Sequence, residues 1–425
     1  MPFRTILTSI ALLGYFSVTG VAQAQSNGVV KAQVDQAILE MSLAFKNADS
    51  KRLSALLPQV RGHVLEPWGA YWELRARLDT ANPGEIQAFL SRFAGTYQED
   101  RLRNDWLVLL GKNREWGTFM AEYPNFRMND DRSVRCYALL TEFSSRELDV
   151  ARQVEALWLA QREADDGCAA AAEQQIKAGK LPPQTAWLRA RLGLENDRLR
   201  VATQAVGLLN TDWASTVSTL YANPGHFLDG KLLALRPRTK ELVTLALIRL
   251  AVGNPDAAAV EVDKLRWKTQ LTQEERSWVW GVIGKRAAMR LSDGAMAYFL
   301  NGQDKFMHDD QLAWKVRAAL RAGNWAQVSS AITAMSEGQR KDATWVYWRA
   351  RALMTLATGE ADRAEATRQL ASSAGVGCRA FAGGSSRDPS RRRPAATPAH
   401  SRSFAVCSIG AARRGQTGIA PQGGR

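Results

Sequence analysis

From Lys31 to Leu370, apolar positions recur at helical spacing almost without a break. Ala258, Val262 and Leu265 stand at i, i+4 and i+7, and Val328, Ile332 and Met335 repeat the register. That spacing places side chains on one face of a helix. Stop and start signals separate the periodic stretches. In Gly253-Asn254-Pro255-Asp256, Gly253 suits the left-handed end of one helix, Asn254 can cap the next, and Pro255 fits its first turn. Gly323-Asn324 repeats the device, and Thr358-Gly359-Glu360 is expected to close a further hairpin. Alternating runs bounded by Asn-Gly or Asp-Gly turns are missing, so no sheet is expected and the fold class is all-α.

A short motif recurs along the chain. Trp72-Glu73-Leu74-Arg75-Ala76-Arg77-Leu78 returns as Trp187-Leu188-Arg189-Ala190-Arg191-Leu192. Related versions begin at Trp314 and Trp348. Gly323 and Gly359 lie 36 residues apart, the length of one helical hairpin. Such hairpins cannot bury their apolar faces alone; stacked, they curve into an α-α superhelix. The Ala residues allow close helix approach, and the Arg stems are expected to lie over apolar surface with their heads in water. This domain is expected to span residues 25–373.

Both ends depart from the pattern. Arg4, the apolar stretch Ile6 to Val21 and Ala22-Gln23-Ala24 read as a secretory signal peptide over residues 1–24, cleaved after Ala24. The run is short for a membrane span of about 20 residues, and no later segment is long and apolar enough for one. From Cys378 onward there is no Leu, Lys, Glu, Trp, Tyr, Met or Asn. Residues 374–425 are therefore expected to be a disordered tail. The composition switches abruptly to residues with GC-rich codons, as a shifted reading frame would produce.

Charge changes the picture little once it is localised. The chain carries +14, but nine Arg against one Asp fall between Cys378 and Arg425. The rest is only mildly basic, which would tolerate an acidic polymer without demanding one. Arg391-Arg392-Arg393 lies in the tail of an exported chain, and no nucleic-acid partner is expected. Export brings Cys136 and Cys168, 32 residues apart, into an oxidising compartment where they can close a disulfide; two buried free thiols are the alternative.

Candidate chemistry is sparse. His63, His226, His308 and His400 are scattered outside any metal or triad pattern, and the cysteine spacings do not match a zinc site. Asp165-Asp166 and Asp309-Asp310 resemble paired carboxylates but read as solvated turn residues, as do the other acidic residues on helix faces. A catalytic acid needs a shielded cleft. No Gly-rich phosphate loop is present. Catalytic, cofactor and metal residues are thus all expected to be none. The 14 Trp suggest sugar stacking, but most stand beside Leu and Ala at helical spacing, which favours core packing.

Several segments, taken in order, resemble the superhelical, U-shaped N-terminal region of soluble lytic murein transglycosylases. They are Pro67-Trp68-Gly69-Ala70-Tyr71-Trp72-Glu73-Leu74, Phe89-Leu90-Ser91-Arg92-Phe93, Leu102-Arg103-Asn104-Asp105-Trp106-Leu107 and Trp116-Gly117-Thr118-Phe119. Arg135-Cys136-Tyr137, Leu157-Trp158-Leu159, Gly167-Cys168, Trp314 through Trp325 and Trp345 through Leu353 complete the series, which covers residues 35–373. The resemblance implies a periplasmic, ring-forming scaffold in an enzyme that cleaves the O-glycosyl bond between N-acetylmuramic acid and N-acetylglucosamine. It also implies partnership with peptidoglycan strands and other cell-wall enzymes, and no cofactor. The family's catalytic motif, a Glu-Ser pair followed by Gly-Leu-Met-Gln, does not occur in this sequence. The chain is therefore expected to be a non-catalytic, truncated portion of such an enzyme. The competing expectation is a tetratricopeptide-like module that binds a periplasmic protein.

Overall fold

The computed structural model describes residues 18–141, 147–230, 233–368 and residue 371, and all regular structure among them is helical. Short polar side chains start many of the helices. The side chains of Asp49, Asn82, Thr96, Asn210 and Asp342 each accept a hydrogen bond from a backbone N–H in the first turn. Those N–H groups have no partner within the helix itself. Thr272 and Glu275 form a reciprocal capping box at the start of Gln273–Met289.

The two glycine signals resolve differently. Gly323 has φ +66° and ends Asp309–Arg321, after which Asn324 caps Trp325–Ala334 by accepting from Gln327 N–H. Gly253 instead remains the last helical residue of Pro237–Gly253 and does not enter the left-handed region. Asn254 makes the turn in extended conformation and caps Pro255–Val262. A second departure is Leu265, which is 76% exposed although Ala258 and Val262 are buried. The helix ends at Asp263-Lys264 and a new one, Leu265–Gln270, starts there. The i+7 position therefore lies on another element, and the buried residue of that helix is Trp267.

The described residues form two compact units, one ending at Ala186 and one beginning at Trp187. In the first, Val18–Lys46 packs on Ser50–Leu56 and Glu66–Ala76 through Ile38, Met41, Leu53 and Val60. A larger core follows, built on Tyr71, Ile86, Phe89, Trp106, Phe119 and Tyr137. In the second unit, Pro237–Gly253 and Gln273–Met289 pack together and are buried on most sides. Asp309–Arg321, Trp325–Ala334 and Ala343–Leu356 then follow in packed succession. Small residues set the close approaches. A Cβ on Gly284 would stand 2.6 Å from the Phe299 ring.

No helix among the described residues is long and apolar enough to cross a membrane. Residues 1–17 and the tail from 374, with Cys378, Cys407 and His400, lie outside the described residues. Ala24 falls within the helix Val18–Lys46.

Candidate functional site

In the first unit, the acidic pair after Gln161 forms part of a clasp. Helix Arg132–Thr141 packs on Asp166–Lys177, and a disulfide joins Cys136 to Cys168 with Cα atoms 4.9 Å apart. Asp165 caps the second helix, accepting from Cys168 N–H at 2.8 Å, and also accepts from the Ser133 hydroxyl at 2.7 Å. Asp166 accepts from the Tyr137 hydroxyl at 2.8 Å and pairs with Arg114 at 2.7 Å. Burial and Asp166 together push the Tyr137 phenol well above its ordinary range. Both carboxylates are thus engaged in holding helices together, and the expectation of plain solvated turn residues is corrected accordingly.

The second unit encloses a more elaborate ionic cluster. Glu195 closes helix Gln184–Glu195 and is fully buried. It accepts from Lys285 Nζ at 2.8 Å and Gln311 Nε2 at 3.0 Å, and it lies 2.9 Å from His308 Nε2. Lys285 also pairs with Asp310 at 2.5 Å. One turn earlier, Arg191 pairs with Glu241 at 2.8 Å and Glu274 at 2.5 Å and lies over the Trp278 ring. The expectation that acidic side chains lie on solvated faces fails here, as does the expectation that Arg heads in the repeated motif stay wet, because Arg191 is only 2% exposed.

The chemistry this cluster can do follows from its charges. Burial would raise the Glu195 carboxyl, but His308 and Lys285 outweigh it and hold the group down at about 2. Lys285 is likewise held above its usual range: burial lowers it, but Glu195 and Asp310 prevail. A glycosidic general acid needs the reverse arrangement, an apolar pocket that keeps a carboxyl protonated. Glu195 stays ionised and ties Gln184–Glu195 to Gln273–Met289 and Asp309–Arg321.

The remaining candidates are spread apart. His63 contacts Asp35 at 2.9 Å in the first unit, whereas His308 belongs to the Glu195 cluster. Asp309 accepts from the backbone N–H and hydroxyl of Ser336. Among the described residues, no group of His, Cys, Asp and Glu is placed to hold a metal ion. None of the 14 Trp is exposed. Trp158 and Trp267 are fully buried, and Trp187 stacks on Trp213.

No protein-family model and no curated protein matches the chain. Among solved structures, it is similar to an inactive mutant of the lytic transglycosylase Slt from Pseudomonas aeruginosa. The identity is 23% and the TM-score 0.45, over 77% of this chain and 54% of that one. It is also similar to the 70 kDa soluble lytic transglycosylase Slt70 from Escherichia coli, at 16% identity and TM-score 0.40, over 80% of this chain and 55% of that one. The chain spans about half the length of these proteins.

Proposed function

We propose that residues 25–373 are the helical scaffold region of a peptidoglycan lytic transglycosylase, exported to the periplasm, and that the described residues serve architecture and binding rather than bond cleavage. The observation that carries this reading is the ordered series of family-like segments. Their aromatic residues supply the core of the first unit, among them Tyr71, Phe89, Trp106, Phe119 and Tyr137. The Cys136–Cys168 disulfide supports an oxidising compartment. The charge pattern supports the architectural role. Glu195, the most enclosed carboxylate among the described residues, is neutralised by Lys285 and His308 and has no proton to offer a leaving group.

The test is co-sedimentation of the purified chain with murein sacculi, with the soluble products analysed in parallel. Retention at low salt, weakening as salt rises, is expected of a mildly basic surface whose fields are screened over about 8–10 Å at physiological ionic strength. Failure to sediment at low salt, together with tight binding to a periplasmic protein, would favour the tetratricopeptide-like module instead. Release of anhydro-muropeptides above a heat-killed control would overturn the non-catalytic part of the proposal.

A further inference from the structure

In the second unit, the stretch that leads into Pro237–Gly253 carries charge of one sign. Between Asp229 and Glu241 the sequence has four cationic side chains, Lys231, Arg236, Arg238 and Lys240, and no acidic one. Glu241 itself is buried and taken by Arg191. Arg236 and Arg238 are exposed, and Lys240 is half-buried. Among the described residues none of these three forms an ion pair, and Arg238 lies 5.3 Å from the Trp213 ring.

The same stretch displays aliphatic side chains. Ala234 is fully buried, and its N–H donates to Gln270 Oε1 at 2.6 Å. Leu233 and Leu235, on either side of it, are 66% and 68% exposed. A little earlier, the Leu228 carbonyl accepts from Arg266 at 2.6 Å. These two bonds fasten the stretch to Leu265–Gln270. That short helix buries Trp267 and leaves Leu265 the most exposed of the three leucines. A single exposed leucine is ordinary on a protein surface. Three on two elements tied together, beside unpaired cations, make a combined apolar and basic face. Lys264 and Lys268 are paired with Glu261 and Asp263, so the free positive charge comes from the stretch before Pro237–Gly253.

We propose that this face docks on the surface of an anionic lipid bilayer. Leu233, Leu235 and Leu265 dip into the boundary between headgroups and acyl chains, and Arg236, Arg238 and Lys240 meet the lipid phosphates. The long basic side chains suit that boundary, because their stems can lie in the apolar layer while their heads stay with the phosphates. A soluble polyanion would satisfy the cations and leave the leucines in water, so the leucines favour a lipid surface. Attachment of this kind needs no membrane-spanning helix and does not depend on the murein reading.

The experiment is co-sedimentation of the full chain with vesicles of equal parts phosphatidylethanolamine and phosphatidylglycerol, and with vesicles of phosphatidylcholine alone. Association with the anionic vesicles is expected, weakening as salt rises, with little retention on phosphatidylcholine. The nine Arg beyond Cys378 also attract anionic lipid, so variants within the face decide the matter. Arg236→Gln combined with Arg238→Gln should weaken binding about 25-fold, at about fivefold per cation. Leu233→Ser combined with Leu235→Ser should weaken it about tenfold with the net charge unchanged. Leu265→Ser, on the other element, should cost about threefold and reads the leucine contribution independently of the first pair. The urea midpoints should match wild type, since all five side chains are exposed. No association with the anionic vesicles, equal retention on both vesicle types, wild-type binding by the arginine or leucine variants, or displacement by millimolar inorganic phosphate at constant ionic strength would each overturn the proposal.

Discussion

Replacing Glu195 by Gln tests the ionic cluster at the centre of the second unit. The substitution keeps the side-chain shape and removes one charge. In the wild type, the folded carboxyl is held at about 2 against an ordinary value of 4.5. At about 1.4 kcal/mol per pH unit, that difference corresponds to about 3 kcal/mol of stability. The figure agrees in size with the roughly 3–5 kcal/mol lost when one partner of a buried pair is removed. Lys285 retains Asp310 in the variant, which keeps the loss toward the lower end. The sign follows from the depressed value. The contribution is fully present above about pH 4.5 and is lost as pH falls toward 2. Urea unfolding at pH 7 should therefore show E195Q about 3 kcal/mol less stable with an unchanged m-value. The gap should narrow as the pH is lowered from 5 to 2, as the wild-type carboxyl becomes protonated. Coincident unfolding curves at pH 7, or a gap that stays constant down to pH 2, would refute the reasoning.

Other consequences can be checked independently. Non-reducing peptide mass spectrometry of protein purified from the periplasm should find Cys136 linked to Cys168, and free thiols at both positions would contradict this. Removing the bond should lower stability by about 3–4 kcal/mol in the chain-entropy model for a loop of this size. Gly284→Ala should destabilise the second unit by about 1–3 kcal/mol, read as a shift of the urea midpoint, because its Cβ would press on the Phe299 ring. Gly359→Ala, where the backbone is not left-handed and no close neighbour crowds the site, should change the same midpoint little.

The local part of this fold was open to sequence reading. Helical spacing and the caps at Asn254 and Asn324 depend on a few neighbouring residues, and the structure places them in those roles. Val328, Ile332 and Met335 are buried as their register requires. What sequence did not reveal depends on residues far apart along the chain. Glu195 meets Lys285 across 90 residues and His308 across 113. No local pattern distinguishes such a glutamate from one in solvent. The repeated motif shows the same limit. Arg77 pairs with Glu73 on its own helix at a partly exposed site, whereas Arg191, in the equivalent run, is sealed between Glu241 and Glu274. The letters match, and the packing around them decides the role. Leu265 failed for a related reason, because a break of the helix at Asp263-Lys264 cancels the period that made it look buried.

The claim that this chain derives from a lytic transglycosylase is tested most directly by the DNA beyond the codon for Ser373, where the resemblance ends shortly before the composition switches. We expect an alternative reading frame there to continue the helical array and then to encode a Glu-Ser pair followed by Gly-Leu-Met-Gln. Early stop codons in every alternative frame, or open frames without that motif, would contradict the account.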